Sequence, residues 1–394
     1  MRTVFVALGL IIASSGLALN AQQNESSFAL FGDGNRGGGS DRGGLVYVMT
    51  NDSNANEILV FARDRRGRLL AVPGAAVRTG GSGGSINAPF DPLGSQNSLV
   101  HDDRLGLLFA VNAGDNSVSA FETERTARPR RTTVVASGGL IPVSLAVSDN
   151  RLYVLNAGGR GAVTTFAIGL DGQLTPLGTL DLGLSNGTSL PFNHNLAPGQ
   201  VGVDALARRL IVVNAGGQEL LVADLNDEGI PVGPLTSTPT PGPLPFTFDI
   251  SRHGSILVAE ASGSVSAFDP PAGAVPLTVT ASAISTGQAA SCWIVAHDNG
   301  FAFVSNTLSN AISLYRFTRT GRLELVNGVA AKTGGAPTDI TLAAEGRFLY
   351  SLNAGTGDIT GFAIDPDNGH LTLVETQRGL PANLGIQGIA AREF

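Results

Sequence analysis

The stretch Leu108-Phe-Ala-Val-Asn-Ala-Gly114 ends a short apolar run on Asn-Ala-Gly, and the pattern returns down the chain. Leu152-Tyr-Val-Leu-Asn-Ala-Gly158, Leu210-Ile-Val-Val-Asn-Ala-Gly216 and Leu349-Tyr-Ser-Leu-Asn-Ala-Gly355 repeat it closely. Weaker copies end at Asn51, pass through Glu260, and close on Asn306. A period of about 45 to 60 residues, present seven times, identifies a propeller before any other fold, because each unit must bury its apolar faces against its neighbours.

The units read as all-β. In the last, Thr338 to Ala343 is an inner strand, Ala344 to Arg347 a tight turn, and Phe348 to Leu352 a second strand. Asp358 to Ile364 is the third strand and His370 to Glu375 the fourth, with Gly and Asp at the turns. The expected architecture is a seven-bladed β-propeller with four antiparallel strands per blade. Leu45 to Met49 enters the first blade at its second strand, and Ile386 to Ala391 reads as an inner strand with no blade after it. The C-terminal strand is therefore expected to complete blade one, which removes two open edges.

Ahead of the propeller, Arg2 and the apolar stretch Val4 to Leu19, followed by Ala21, form a signal peptide over residues 1–21. Residues 22–43 are a Gly-rich leader expected to be disordered, and residues 44–394 the single propeller domain. The expected location is secreted or periplasmic. The stretch is short for a membrane span, so stable insertion is not expected, with an uncleaved anchor as the alternative. A net charge of −7 and only short basic clusters exclude a nucleic-acid partner. The chain is expected to be a monomer. Cys292, the only cysteine, can form no internal disulfide and reads as a buried, inert thiol.

The repeats resemble the YVTN-type units of the lactonase family of seven-bladed propellers, which includes bacterial 6-phosphogluconolactonase-like and fungal carboxymuconate-lactonizing-enzyme-like members. The resemblance covers Gly44 to Phe394. It implies hydrolysis or formation of a small lactone. It also implies a histidine just before the inner strand of the fourth blade; here that segment reads Ala197-Pro-Gly-Gln-Val-Gly-Val-Asp204, with Gly199 at that place.

Strand order puts the N-A-G loops and the outer-to-inner connections on one face and the Asp-Gly and Thr-Gly hairpins on the other. The asparagine spacing is about 45 except from Asn51 to Asn112, where it is 61, and from Asn156 to Asn214, where it is 58. The excess falls in Arg78 to Gln96 and Leu182 to Gly199, both on the N-A-G face, where long loops on a rigid scaffold place a binding site. His194 in the second insertion is the candidate base. Asp91, Gln96, Asn97, Asn193, Gln200, Gln288, Asp339 and Gln387 are candidate ligand contacts, with Ser144, Cys292 and Asp339 taken as equivalent inner-strand positions. Such a set offers a base and amide donors for a developing oxyanion. No metal spacing, phosphate loop or dinucleotide fingerprint occurs, so no cofactor is expected. The alternative is a non-catalytic propeller that binds a carbohydrate, a peptide or a surface partner. The N-A-G asparagines themselves are expected to hold turns, through the left-handed conformation that Asn tolerates.

Overall fold

The computed structural model describes residues 43–84, 90–123, 127–184, 196–206, 208–269, 276–318 and 322–394. These residues form seven antiparallel sheets, each built from an inner, a second, a third and an outer strand. Blade seven runs Pro337–Ala343, Phe348–Asn353, Asp358–Ile364 and Leu371–Arg378, within three residues of the expected limits. Its second and third strands are almost wholly buried, while its outer strand exposes alternate residues. The same gradient recurs in the other blades, so the core lies between blades and thins toward the rim. Tyrosines add polar ties between blades: Tyr153 Oη donates to Gly229 O at 2.7 Å, and Tyr350 Oη to Gly67 O at 2.8 Å.

The ring closes as the sequence implies. Ile389–Glu393 lies antiparallel to Gly44–Met49, with Ile389 opposite Val48 and Glu393 opposite Gly44. This strand begins three residues later than expected: Gln387 turns its side chain to the backbone of Leu93 and Ser95, and Ile386 packs into the apolar core. Arg63, whose side chain is fully buried, pairs with the Glu393 carboxylate. The other oxygen of that carboxylate accepts Ala344 N at 2.6 Å, so the closing strand is tied to blades one and seven together.

The asparagines hold turns, but not by the expected backbone route. Asn112, Asn156, Asn214, Asn306 and Asn353 are buried and are not in the left-handed region. That conformation falls four residues later, at Asn116, Gln218, Asn310 and Gly357. The repeat asparagine works through its side chain instead. Asn112 Nδ2 donates to Ser117 Oγ at 3.0 Å and Ser119 Oγ at 2.9 Å. Asn353 Nδ2 donates to Asp358 Oδ1 at 2.6 Å and Thr360 Oγ1 at 2.9 Å. An amide at this place ties the end of the second strand to the start of the third across the loop. In blade five Glu260 takes the position and reverses the polarity, accepting from Gly242 N at 2.8 Å and Ser266 Oγ at 2.6 Å.

Removing such an amide leaves buried hydroxyl and carboxylate partners without a bond. Asn353→Ala is therefore expected to lower unfolding stability by about 1–3 kcal/mol, read as an earlier midpoint in chemical denaturation. An unchanged midpoint would show that the side-chain tie is dispensable.

Candidate functional site

Each inner strand has one edge paired within its blade and one edge facing the central channel. Unpaired backbone groups on that edge need partners, and side chains from the preceding blade supply them. Ser144 Oγ accepts Val201 N at 3.2 Å, Gln200 Oε1 accepts Phe248 N at 2.7 Å, and Asp249 Oδ2 accepts Ala296 N at 2.7 Å. Asp339 Oδ2 accepts Ile389 N at 3.3 Å, carrying the series across the closure. Burial pushes the Asp339 carboxyl well above the usual carboxylate range, and the charge of Asp91 adds to the rise.

A β-bulge shapes the start of these strands. In blades three to seven the register slips by one residue near the N-A-G end, leaving Val143, Gly199, Phe246, Cys292 and Thr338 unpaired. Ser144, Gln200, Thr247, Trp293 and Asp339 then share one ring position. Cys292 therefore stands at the bulge, one residue away from the Ser144 and Asp339 positions to which its sequence context seemed equivalent. Its thiol is buried, and burial with the nearby Asp91 charge pushes its pKa up, as suits an inert group.

The end of the first insertion turns into the channel mouth on the N-A-G face. Asp91 Oδ1 accepts Gly94 N at 2.8 Å and fixes the turn. Ser95 O accepts Trp293 Nε1 and Gln387 Nε2, each at 2.8 Å, while Ser95 Oγ donates to Val143 O at 2.7 Å. Gln387 Oε1 accepts Leu93 N at 3.1 Å. Gln96 reaches the far side of the channel, where Nε2 donates to Ile294 O at 2.8 Å and Oε1 accepts Ile294 N at 3.2 Å. Leu93 to Asn97 is thus a plug bonded to blades one, three, four and six. It brings Asp91, Gln96, Asn97, Gln200, Asp339 and Gln387 to the channel, with Gln96 and Gln387 using both ends of their amides on backbone. Gln288 is not with them; it sits half-buried in the connection to blade six and donates to Gly287 O at 3.0 Å. Asn193 and His194 lie outside the described residues.

Below the plug is a cavity of about 280 Å³, walled by the inner strands of blades two to five. Its apolar wall includes Val100, Val147, Val203, Phe248 and Ile250, and its polar groups are Asn97, Gln200 and Asp249. None of its described lining is Lys, Arg or His. The first four residues of Pro142–Ser148, Pro198–Asp204 and Pro245–Ile250 are buried, whereas Val147, Val203 and Ile250 are part-exposed. The cavity is therefore reached from the hairpin end of the channel.

Three chemistries meet there. The Gln200 acceptor is used on Phe248 N, but its Nε2 has no partner among the described residues. Asn97, held at a φ of 63°, spends its carbonyl on Leu145 N at 2.8 Å and keeps its side-chain amide free of described partners. Asp249 Oδ1 accepts Ile250 N at 2.8 Å, Oδ2 accepts Ala296 N, and a lone pair remains on each oxygen. Burial pushes this carboxyl up to about 6 against the lowering effect of those two N–H groups, and Asp298 adds to the rise. Asp249 was not among the sequence candidates. Its signal was the period-two step from Thr247: the ring below Ser144, Gln200, Thr247, Trp293 and Asp339 holds Ala146, Gly202, Asp249, Val295 and Thr341, with one ionisable group among them. Among the described residues no group of three His, Cys, Asp or Glu side chains is placed to hold a metal ion.

A family model described as lactonase, 7-bladed beta-propeller, matches residues 89–386. The chain is 25% identical over 352 residues to a 6-phosphogluconolactonase of Bacillus subtilis, covering 86% of this chain and 96% of that protein. A putative 6-phosphogluconolactonase from Bacteroides fragilis superposes with a TM-score of 0.70 at 18% identity, over 91% of this chain and 100% of the other. A periplasmic gluconolactonase from Pseudomonas aeruginosa gives 0.69 at 17%, over 89% of this chain and 99% of the other. At those identities the two structures speak for the fold alone.

Gly199, where the family resemblance implies a histidine, is a bulge residue beneath the plug. A Cβ there would collide with the Phe246 carbonyl oxygen and lie 3.2 Å from that of Gly94. Gly199→Ala is accordingly expected to destabilise the protein by about 1–3 kcal/mol through overpacking, seen as a lower melting temperature. A neutral Gly199→Ala would mean that the Phe246 backbone beside it shifts easily.

Proposed function

Since the chain belongs to the lactonase family of seven-bladed β-propellers, we propose that it is an exported hydrolase of a small lactone that carries no phosphate. The observation that carries this reading is the channel pocket, which sets two amides and a carboxyl beside apolar side chains with no cation in its described lining. A phosphorylated or polycarboxylate substrate brought into an apolar site needs cationic or multiple donor partners, because burying unpaired charge is costly. An uncharged ring ester needs only donors at its carbonyl and a base for water. The volume is close to the roughly 300 Å³ at which small-ligand sites begin, enough for one small ring. Export rests on the N-terminal pattern of Arg2, Val4 to Leu19 and Ala21.

Two measurements test this. Hydrolysis of a panel of lactones, followed by acid release above the spontaneous rate, is expected to show turnover of an uncharged five- or six-membered lactone and little of a phosphorylated sugar lactone. Preference for the phosphorylated substrate would overturn the assignment, and binding without turnover of any lactone would favour the non-catalytic propeller. N-terminal sequencing of protein recovered outside the cytoplasm is expected to begin at Gln22, and protein confined to the cytoplasm would remove the export step.

A further inference from the structure

We propose that Asp249 is the general base of this chain and that the free side-chain amides of Gln200 and Asn97 bind the lactone carbonyl, in a site entered from the hairpin end of the channel. This rests on the lactone-hydrolase reading above and gives it a place and a set of residues.

The geometry argues for it in three steps. The N-A-G end is closed by Leu93 to Asn97, whose side chains and carbonyls are bonded to four blades. The hairpin end is where the inner strands become part-exposed. Of the residues that line the cavity, Asp249 alone can take up a proton in the working range, and Gln200 and Asn97 alone offer side-chain amide donors. Asp249 is held by Ile250 N and Ala296 N, so its position is fixed by two strands before any ligand arrives. Gln200 is anchored through its Oε1 on Phe248 N, so the pocket holds one fixed donor beside a fixed base, as ester hydrolysis requires.

The reaction then balances without any co-reactant but water. Ionised Asp249 takes a proton from water as its oxygen bonds to the lactone carbonyl carbon. The carbonyl π electrons move to its oxygen, where the Gln200 and Asn97 amides donate. Collapse re-forms the carbonyl and breaks the ring C–O bond. The departing alkoxide receives the proton held by Asp249, giving the open hydroxy acid. Because the base is the ionised form, activity should rise with pH through about 6, the region to which burial lifts this carboxyl. Asp298 is the charged group that acts on it, and Asp204 and His297 close the neighbouring strands at the same end.

The test compares four variants with wild type on the best uncharged lactone. Asp249→Asn is expected to lower kcat by about 10²–10⁴-fold and to abolish the rise near pH 6. Asn97→Gly keeps the positive φ while removing the amide, and is expected to lower kcat with its pH limb intact. Val203→Phe should obstruct the hairpin end and raise KM. His194→Ala tests the rival base that the second insertion offers. Thermal melts identify variants that fail to fold; if Asp249→Asn does, Asn97→Gly and Val203→Phe carry the decision. Full activity in those two, or loss in His194→Ala with Asp249→Asn unaffected, overturns this site while leaving the lactonase reading standing. Wild type that hydrolyses no lactone removes both.

Discussion

The structure depends on what happens to the inner edge of each blade. A four-stranded sheet has two edges, and in a ring the inner ones converge on a channel too narrow to admit another strand from every blade. Their peptide groups cannot be left unbonded where water is scarce. This chain satisfies them with side chains that step from blade to blade: a serine, a glutamine and two aspartates on backbone N–H groups, and the Thr247 hydroxyl on Cys292 O at 2.5 Å. The blades are then joined by directed bonds at the centre as well as by apolar packing between their faces. Closure by Ile389–Glu393 belongs to the same series, since its first N–H is capped by Asp339.

That requirement decides which polar groups remain available for chemistry. A side-chain amide has a donor end and an acceptor end. Gln96 uses both on the Ile294 peptide, much as a neighbouring strand would, and Gln387 uses both on the plug. They complete the fold, held at both ends of the amide by backbone. Gln200 caps a single N–H and keeps its donor end toward the cavity. A carboxylate capping N–H groups keeps lone pairs on each oxygen, which is why Asp249 can serve the edge and still accept a proton. Asp339 caps in the same way but lies higher in the channel and is fully buried, so its oxygens meet only protein.

The sequence makes the ring legible because the repeat is a packing requirement, written in every unit. It predicted blade number, strand order and closure, and it brought most of the chosen polar residues to the channel. What it did not reveal follows from features whose role shows only once strand register and side-chain bonds are known. One is the bulge that displaces Cys292 from the Ser144 and Asp339 positions by a single residue. Another is the side-chain role of Asn112 and Asn353, hidden because the left-handed residue the turn needs comes four positions later. The third is the direction taken by the first insertion. Its length showed that something unusual sits on the N-A-G face. That it turns inward depends on bonds to Val143, Trp293, Ile294 and Gln387, from blades far apart in the chain.

The plug and Gly199 are in contact. A side chain on Gly199 would run into the Phe246 carbonyl and press on Gly94, while Gln96 N donates to the Gly199 carbonyl at 3.3 Å. A larger residue at this place would have to displace the Phe246 backbone first and the plug at Gly94 second. Once the mouth is filled, the lower ring of the channel becomes the place where inner-strand residues meet both solvent and a cavity. That ring holds Ala146, Gly202, Asp249, Val295 and Thr341, of which Ala146, Gly202 and Asp249 line the pocket. Scaffold and site therefore share residues: Gln200 and Asp249 each cap a backbone N–H of the next blade and still turn a donor or a lone pair toward the pocket.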